Sequence, residues 1–184
     1  MMNSDLTENF AEQQPFVQSF SGPLTRLEHV FKEIESRLIS RGETVSTAES
    51  VTAGFLQFSF SQMKDASKFF EGGMTVYTLK EKVKLLKVDQ EEASQCDCVS
   101  AHIAETMAIN VAKLYDTDWS IAVTGYANPV EESQGNLFAF YSISYQGNII
   151  VTERIDLAID TQSIDAQVAY THCIFERFEL QLNR

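Results

Sequence analysis

Thr44-Val45-Ser46-Thr47-Ala48-Glu49-Ser50-Val51-Thr52-Ala53-Gly54 decides the fold. It reads as a short buried strand, Thr44–Ser50, running into a turn of small polar residues and then into a helix from about Thr52 to Lys64. A strand–turn–helix unit places Ser50 at the carboxyl end of a strand and beside a helix amino terminus. Backbone N–H groups converge there, so the position suits a nucleophile or a bound anion. Ser50 and Thr52 as plain helix caps are the competing reading.

Outward from that unit the chain keeps alternating. Upstream, Pro23 opens a helix whose Leu24, Leu27, Val30, Phe31, Ile34 and Leu38 repeat at helical spacing until Gly42 stops it. Residues 1–20 are polar and aperiodic and read as a flexible tail ahead of one domain, 21–184. Downstream, Gly72-Gly73 precedes a second strand, Met74–Thr78, and a lysine-rich helix, Leu79–Lys87. Ser100 caps a further helix, and Trp119–Thr124 is another buried strand, ending at Gly125. Asn136–Tyr145 and Asn148–Asp156 form an antiparallel hairpin across Gln146-Gly147, and Ile164 to Leu180 is a closing helix. The class is therefore α/β, a layered α/β/α domain with a mixed sheet. In open α/β sheets sites form outside the carboxyl ends of strands. Ser50, Tyr77-Thr78 and Thr124-Gly125 mark three such ends, which share one crevice if those strands are parallel.

Composition narrows the function classes. The chain has 184 residues, a formal charge of −12 and 44% hydrophobic residues, enough for one full core. An acidic surface argues against nucleic acid and against an anionic membrane. The amino end has neither the basic start nor the apolar block of a secretory signal, so a cytoplasmic location is expected. Cys96, Cys98 and Cys173 are expected as free thiols. Cys96-Asp97-Cys98 with His102 lacks a second ligand pair at zinc spacing, so no metal is expected.

A serine needs a base to attack at neutral pH, and histidine is the usual one. His29, His102 and His172 all lie away from the strand ends. Lysine serves instead when burial lowers its pKa, and Lys82, starting the helix after the second strand, is the best placed, with Tyr77 near it to relay or orient a proton.

These blocks resemble the CinA carboxy-terminal domain family over nearly the whole ordered chain. Ala48-Glu49-Ser50-Val51-Thr52-Ala53-Gly54 is similar to the family's Ala-Glu-Ser-Cys-Thr-Gly-Gly, and Phe70-Glu71-Gly72-Gly73-Met74-Thr75-Val76-Tyr77 to its Phe-x-Gly-Gly-x-x-x-Tyr. Lys82 keeps the register of the family lysine, Val99-Ser100 fits Ala-Val-Ser, and Ala122-Val123-Thr124-Gly125 fits Ala-Val-Thr-Gly. The resemblance implies nicotinamide mononucleotide deamidation. Ser50 would be the nucleophile and Lys82 and Tyr77 its assistants, with Thr52, Ala53, Gly54, Thr124 and Gly125 binding substrate. It implies no cofactor, a small-molecule amide or nucleotide as the partner, and a homodimer or higher homo-oligomer.

The chain departs from the family on the phosphate side. Tyr126-Ala127-Asn128-Pro129-Val130-Glu131-Glu132 replaces a glycine-rich loop, and Ile159-Asp160-Thr161-Gln162-Ser163-Ile164-Asp165 replaces Gly-Asp-Arg-x-x-x-Arg. Lys80 or Arg154 could supply a substitute charge. Weak affinity for nicotinamide mononucleotide is expected, and the alternatives are an amidase of the same chemistry on an uncharged or smaller amide and a catalytically degenerate binding or assembly module.

Overall fold

The computed structural model describes residues 27–184. The expected tail and the start at Pro23 lie outside those residues. The elements run α1 (Glu28–Arg41), β1 (Val45–Glu49), α2 (Phe55–Ser61), a 3-10 turn (Ala66–Lys68), β2 (Phe70–Thr75), α3 (Leu79–Leu86), α4 (Gln90–Gln95), α5 (Ala101–Tyr115), β3 (Trp119–Gly125), β4 (Leu137–Tyr145), β5 (Asn148–Leu157) and α6 (Ser163–Leu182). The sheet order is β2-β1-β3-β4-β5, with β1 parallel to β2 and β3 and the β3–β4 and β4–β5 pairs antiparallel. The fold is a three-layer α/β/α domain on a mixed sheet, and the carboxyl ends of the three parallel strands lie side by side.

Strand alternation sends side chains to two different cores. Val45, Trp119, Ile121, Val123, Tyr141 and Ile143 meet the apolar stripes of α1, α2 and α6. The other face carries Ala48 and Ala122 under α5, together with the buried serines Ser46, Ser120, Ser142 and Ser144. Small side chains let α5 approach the strands closely, and each serine hydroxyl finds a partner. Ser120 Oγ donates to the Ala108 carbonyl at 2.7 Å, and Ser46 and Thr117 share a 2.7 Å hydroxyl contact.

Two expected boundaries change, and one element is added. The second strand is Phe70–Thr75 and not Met74–Thr78, because Gly72 and Gly73 lie inside it instead of releasing the chain into it. A Cβ on Gly73 would stand 2.1 Å from Thr47 Oγ1 and 2.6 Å from Gln57 Cγ, so glycine is needed for close approach to β1 and α2. The helix expected from Thr52 begins only at Phe55, after Ala53 (φ 51) and Gly54 (φ 103) turn the chain through the left-handed region. The short helix α4, capped by Asp89 accepting from the Glu92 N–H at 2.8 Å, was not anticipated. Among the described residues no helix is long and apolar enough to cross a membrane.

Candidate active site

The turn after β1 is built around a buried carboxylate. Glu49 accepts from Thr52 Oγ1 at 2.6 Å, from the Gly54 and Leu56 N–H groups at 3.0 Å each, and from the Gln57 N–H at 2.8 Å. It is fully buried. The first N–H groups of α2, which a helix leaves without intrahelical partners, are thereby filled from inside the protein. Nothing in conventional capping patterns, which look one to three residues ahead of a helix, picks out a carboxylate six residues upstream.

That anchored turn presents Ser50, 7% exposed, at the end of β1. Facing it is Lys82 from the first half of α3. The capping of α3 by Thr78, whose hydroxyl accepts from the Glu81 N–H at 3.4 Å, fixes where Lys82 emerges. Lys82 is 2% exposed, and its Nζ donates to Ser50 Oγ at 2.9 Å and to the Tyr77 carbonyl at 3.4 Å. Burial pushes the Lys82 ammonium below its usual 10.5, opposed by the neighbouring Cys98 and Asp97. The same burial raises the Cys98 thiol, against the pull of Lys82. A lysine so placed can exchange roles with the serine: when Nζ is neutral, Ser50 Oγ–H donates across the same 2.9 Å.

Ser50, Lys82 and Tyr77 line one cavity of about 410 Å³, joined by Thr124 and Gly125 from the end of β3. Tyr77 is 70% exposed at its mouth, and among the described residues its hydroxyl bonds neither Ser50 nor Lys82; its carbonyl is what reaches the lysine. Thr52, Ala53 and Gly54 lie off the cavity wall. Thr52 and Gly54 spend their donors on Glu49, and the Ala53 N–H goes to the Ser50 carbonyl at 3.1 Å. The N–H groups of Val51 and Thr52 make no hydrogen bond among the described residues. Gly125 cannot carry a side chain, since a Cβ would fall 2.5 Å from the Phe138 carbonyl oxygen.

Several wall residues have no strong sequence signal. Asp97 and Cys98 reach the cavity from the loop between α4 and α5, both with left-handed backbone (φ 48 and 61). That loop is pinned directly after Asp97, at Cys98, whose N–H donates to the Ala93 carbonyl at 2.7 Å and whose carbonyl accepts from Thr124 Oγ1 at 2.8 Å. Tyr126 stands opposite, its phenol held protonated by burial and by the Asp97 carboxylate. Gln167 of α6 lines the wall and donates to the Val51 carbonyl at 2.9 Å, tying the serine turn to the last helix. Of the expected substitute charges, Lys80 is absent from the wall, and Arg154 pairs with Asp156 at 2.7 Å and lies over Phe138. His102 bonds Glu92 at 2.7 Å.

A family model described as the CinA C-terminal domain matches residues 27–172. A CinA-like protein from Synechocystis sp. is 45% identical over 92 residues, which is 50% of this chain and 22% of that protein. A competence-damage inducible protein from Streptococcus pyogenes is 31% identical over 159 residues, 86% of this chain and 37% of that protein. The matched part thus spans well under half the length of these curated relatives. The crystal structure of a competence-damaged protein (CinA) superfamily protein from Enterobacter cloacae superposes with a TM-score of 0.77 at 25% identity, covering 83% of this chain and 90% of that one.

Proposed function

The chain belongs to the CinA C-terminal domain family, and from that premise we propose that it is an amide hydrolase of the nicotinamide-nucleotide amidase kind, opening a carboxamide through Ser50 and Lys82. The observation that carries the reading is the 2.9 Å contact between a buried lysine amine and a serine hydroxyl inside a cavity at the strand ends. In this scheme neutral Lys82 Nζ takes the Ser50 proton as Oγ attacks the carboxamide carbon. The tetrahedral intermediate collapses as Lys82 returns that proton to the leaving nitrogen, releasing ammonia and leaving an acyl ester on Ser50. Water, deprotonated by the same lysine, then frees the acid and restores the serine. On nicotinamide mononucleotide the product is nicotinic acid mononucleotide.

Stabilisation of the oxyanion falls to the backbone just after Ser50. With Gly54 bonded to Glu49 and Thr52 off the cavity wall, the Val51 N–H is the one left to meet the developing charge, a contribution of about 3–4 kcal/mol in comparable sites. Tyr77, at the mouth, holds Lys82 through its carbonyl and offers its ring to the substrate. The test is ammonia release from nicotinamide mononucleotide, nicotinamide and 1-methylnicotinamide, with Ser50→Ala as control. Release that disappears in Ser50→Ala supports the reading. Silence from every carboxamide would favour the alternative, a binding or assembly module, to which the acidic Glu131-Glu132 loop beside the cavity also points.

A further inference from the structure

The charges around the cavity specify what kind of carboxamide it takes. Among the described residues two charged side chains line it, Lys82 and Asp97. The lysine is committed to Ser50 and the Tyr77 carbonyl, and as a working base it is neutral. Asp97 then supplies the wall's net charge, held in place by the two anchors on its loop. The surroundings add to it. Glu132 lies close enough to act on the Tyr126 phenol, and Asp165 occupies the first turn of α6, whose Ser163 lines the cavity. The amino end of α6 therefore meets a carboxylate of its own before it meets a ligand. Arg37, Arg41, Arg154 and Arg177 are engaged by Glu33, Glu43, Asp156 and Glu153, and among the described residues no arginine lines the cavity.

We propose that the site selects a carboxamide carried on a cationic, unphosphorylated frame, such as an N-substituted pyridinium carboxamide at the nucleoside level or smaller, with Asp97 as the residue that reads the positive charge. This rests on the amidase reading for the fate of the amide, but the charge preference stands on the cavity itself. A phosphate brought to this wall meets Asp97, with Asp165 and Glu132 near, and no guanidinium among the described residues to hold it. A ring cation a few ångströms from the carboxamide meets the opposite situation. Two consecutive non-glycine residues in left-handed backbone, Asp97 and Cys98, are an uncommon expense for a mere connector.

The experiment measures binding by calorimetry in the Ser50→Ala protein, with 1-methylnicotinamide, nicotinamide and nicotinamide mononucleotide as cationic, neutral and anionic probes. Ammonia release is measured in parallel with the unmutated protein. The expected order of affinity is cation, then neutral, then nucleotide, with the cation ahead of the neutral amide by roughly three- to tenfold. Asp97→Asn, whose side chain tolerates left-handed backbone, is expected to erase that gap while leaving affinity for neutral nicotinamide within about twofold. Asp97→Gly, which also fits the backbone, is expected to do the same. Nucleotide binding tighter than the cation, a gap that survives both substitutions, or no binding of any probe would overturn the proposal. Ammonia release with the nucleotide preferred would leave the amidase reading intact and remove this one; cation binding without release would do the reverse.

Discussion

Lys82 owes its chemistry to burial, and burial has a cost that can be read with pH. Its ammonium is destabilised in the folded state relative to 10.5. Between the lowered folded value and 10.5 the unfolded chain binds more protons, so stability rises with pH across that window. Below it the penalty is complete, and by 10.5 it is gone. Lys82→Met is accordingly expected to be more stable than the parent near about pH 7 and to lose that advantage as pH approaches about 10, read by urea unfolding at both. The same ionisation sets activity with the opposite partner: ammonia release should climb with pH on a single limb below 10.5 and vanish in Lys82→Met. A rate that falls as pH rises through the neutral range would sink the assignment of lysine as base. Glu49 acts on the turn and not on substrate. Glu49→Gln replaces an oxygen acceptor with a donor facing N–H groups, and is expected to lower stability by about 2–4 kcal/mol. Urea unfolding checks it, and a loss under about 0.5 kcal/mol would show that the turn holds without its carboxylate. The sequence placed Ser50 at a strand end because the buried run and the small polar turn are local signals. It did not disclose Glu49 or Asp97, because both act through backbone that only the left-handed turns at Ala53 and Asp97 bring round.

Elements that bury a periodic stripe were legible, and those defined by contact with something distant were not. The stripe of α1, with Phe31, Ile34 and Leu38 buried, and the hairpin register of Tyr145 opposite Asn148 follow from patterns within a few residues. The short helix α4 buries only Ala93 and offers no period to detect. The second strand was displaced because a Gly-Gly pair reads as punctuation, whereas here Gly73 lies in the strand under Gln57 and Thr47. Gly73→Ala follows as a prediction at this scale. The new methyl cannot avoid Thr47 Oγ1 without moving β2 or rotating the threonine, and Gln57 on the other side also holds Glu49 through its N–H. Stability should fall by about 1–3 kcal/mol, and the disturbance should reach the serine turn and reduce ammonia release. Unchanged unfolding and unchanged release would mean that the edge strand yields freely.

At the scale of the whole molecule, the aromatic residues of the final hairpin and helix are largely used within the chain. Tyr141, Tyr170 and Phe175 are buried, Tyr145 packs on Trp119 and bonds Glu43, and Phe138 lies beneath Arg154. The proposal of a homodimer rests instead on exposed apolar side chains such as Tyr77, Ile159 and Ile164, and light scattering that reports a monomer at tens of micromolar would remove it. The net charge of −12 gives a separate prediction, because it acts on every ligand by sign before any contact forms. An anionic nucleotide approaches a molecule that repels it, and a cationic carboxamide one that attracts it. Salt weakens both effects, since the screening length shrinks from about 30 Å at 0.01 M to about 8 Å at 0.15 M. Nicotinamide mononucleotide should therefore bind Ser50→Ala better, or no worse, as ionic strength rises across that range, while 1-methylnicotinamide binds less well and neutral nicotinamide barely changes. A site that held phosphate through a cationic clamp would show the reverse sign for the nucleotide, losing affinity with salt as its ion pairs are screened. Calorimetric titration of the three probes at the two ionic strengths reads the sign directly. A nucleotide affinity that drops as salt is added would show that a positive group reaches the phosphate after all, and that the acidic wall does not decide what enters.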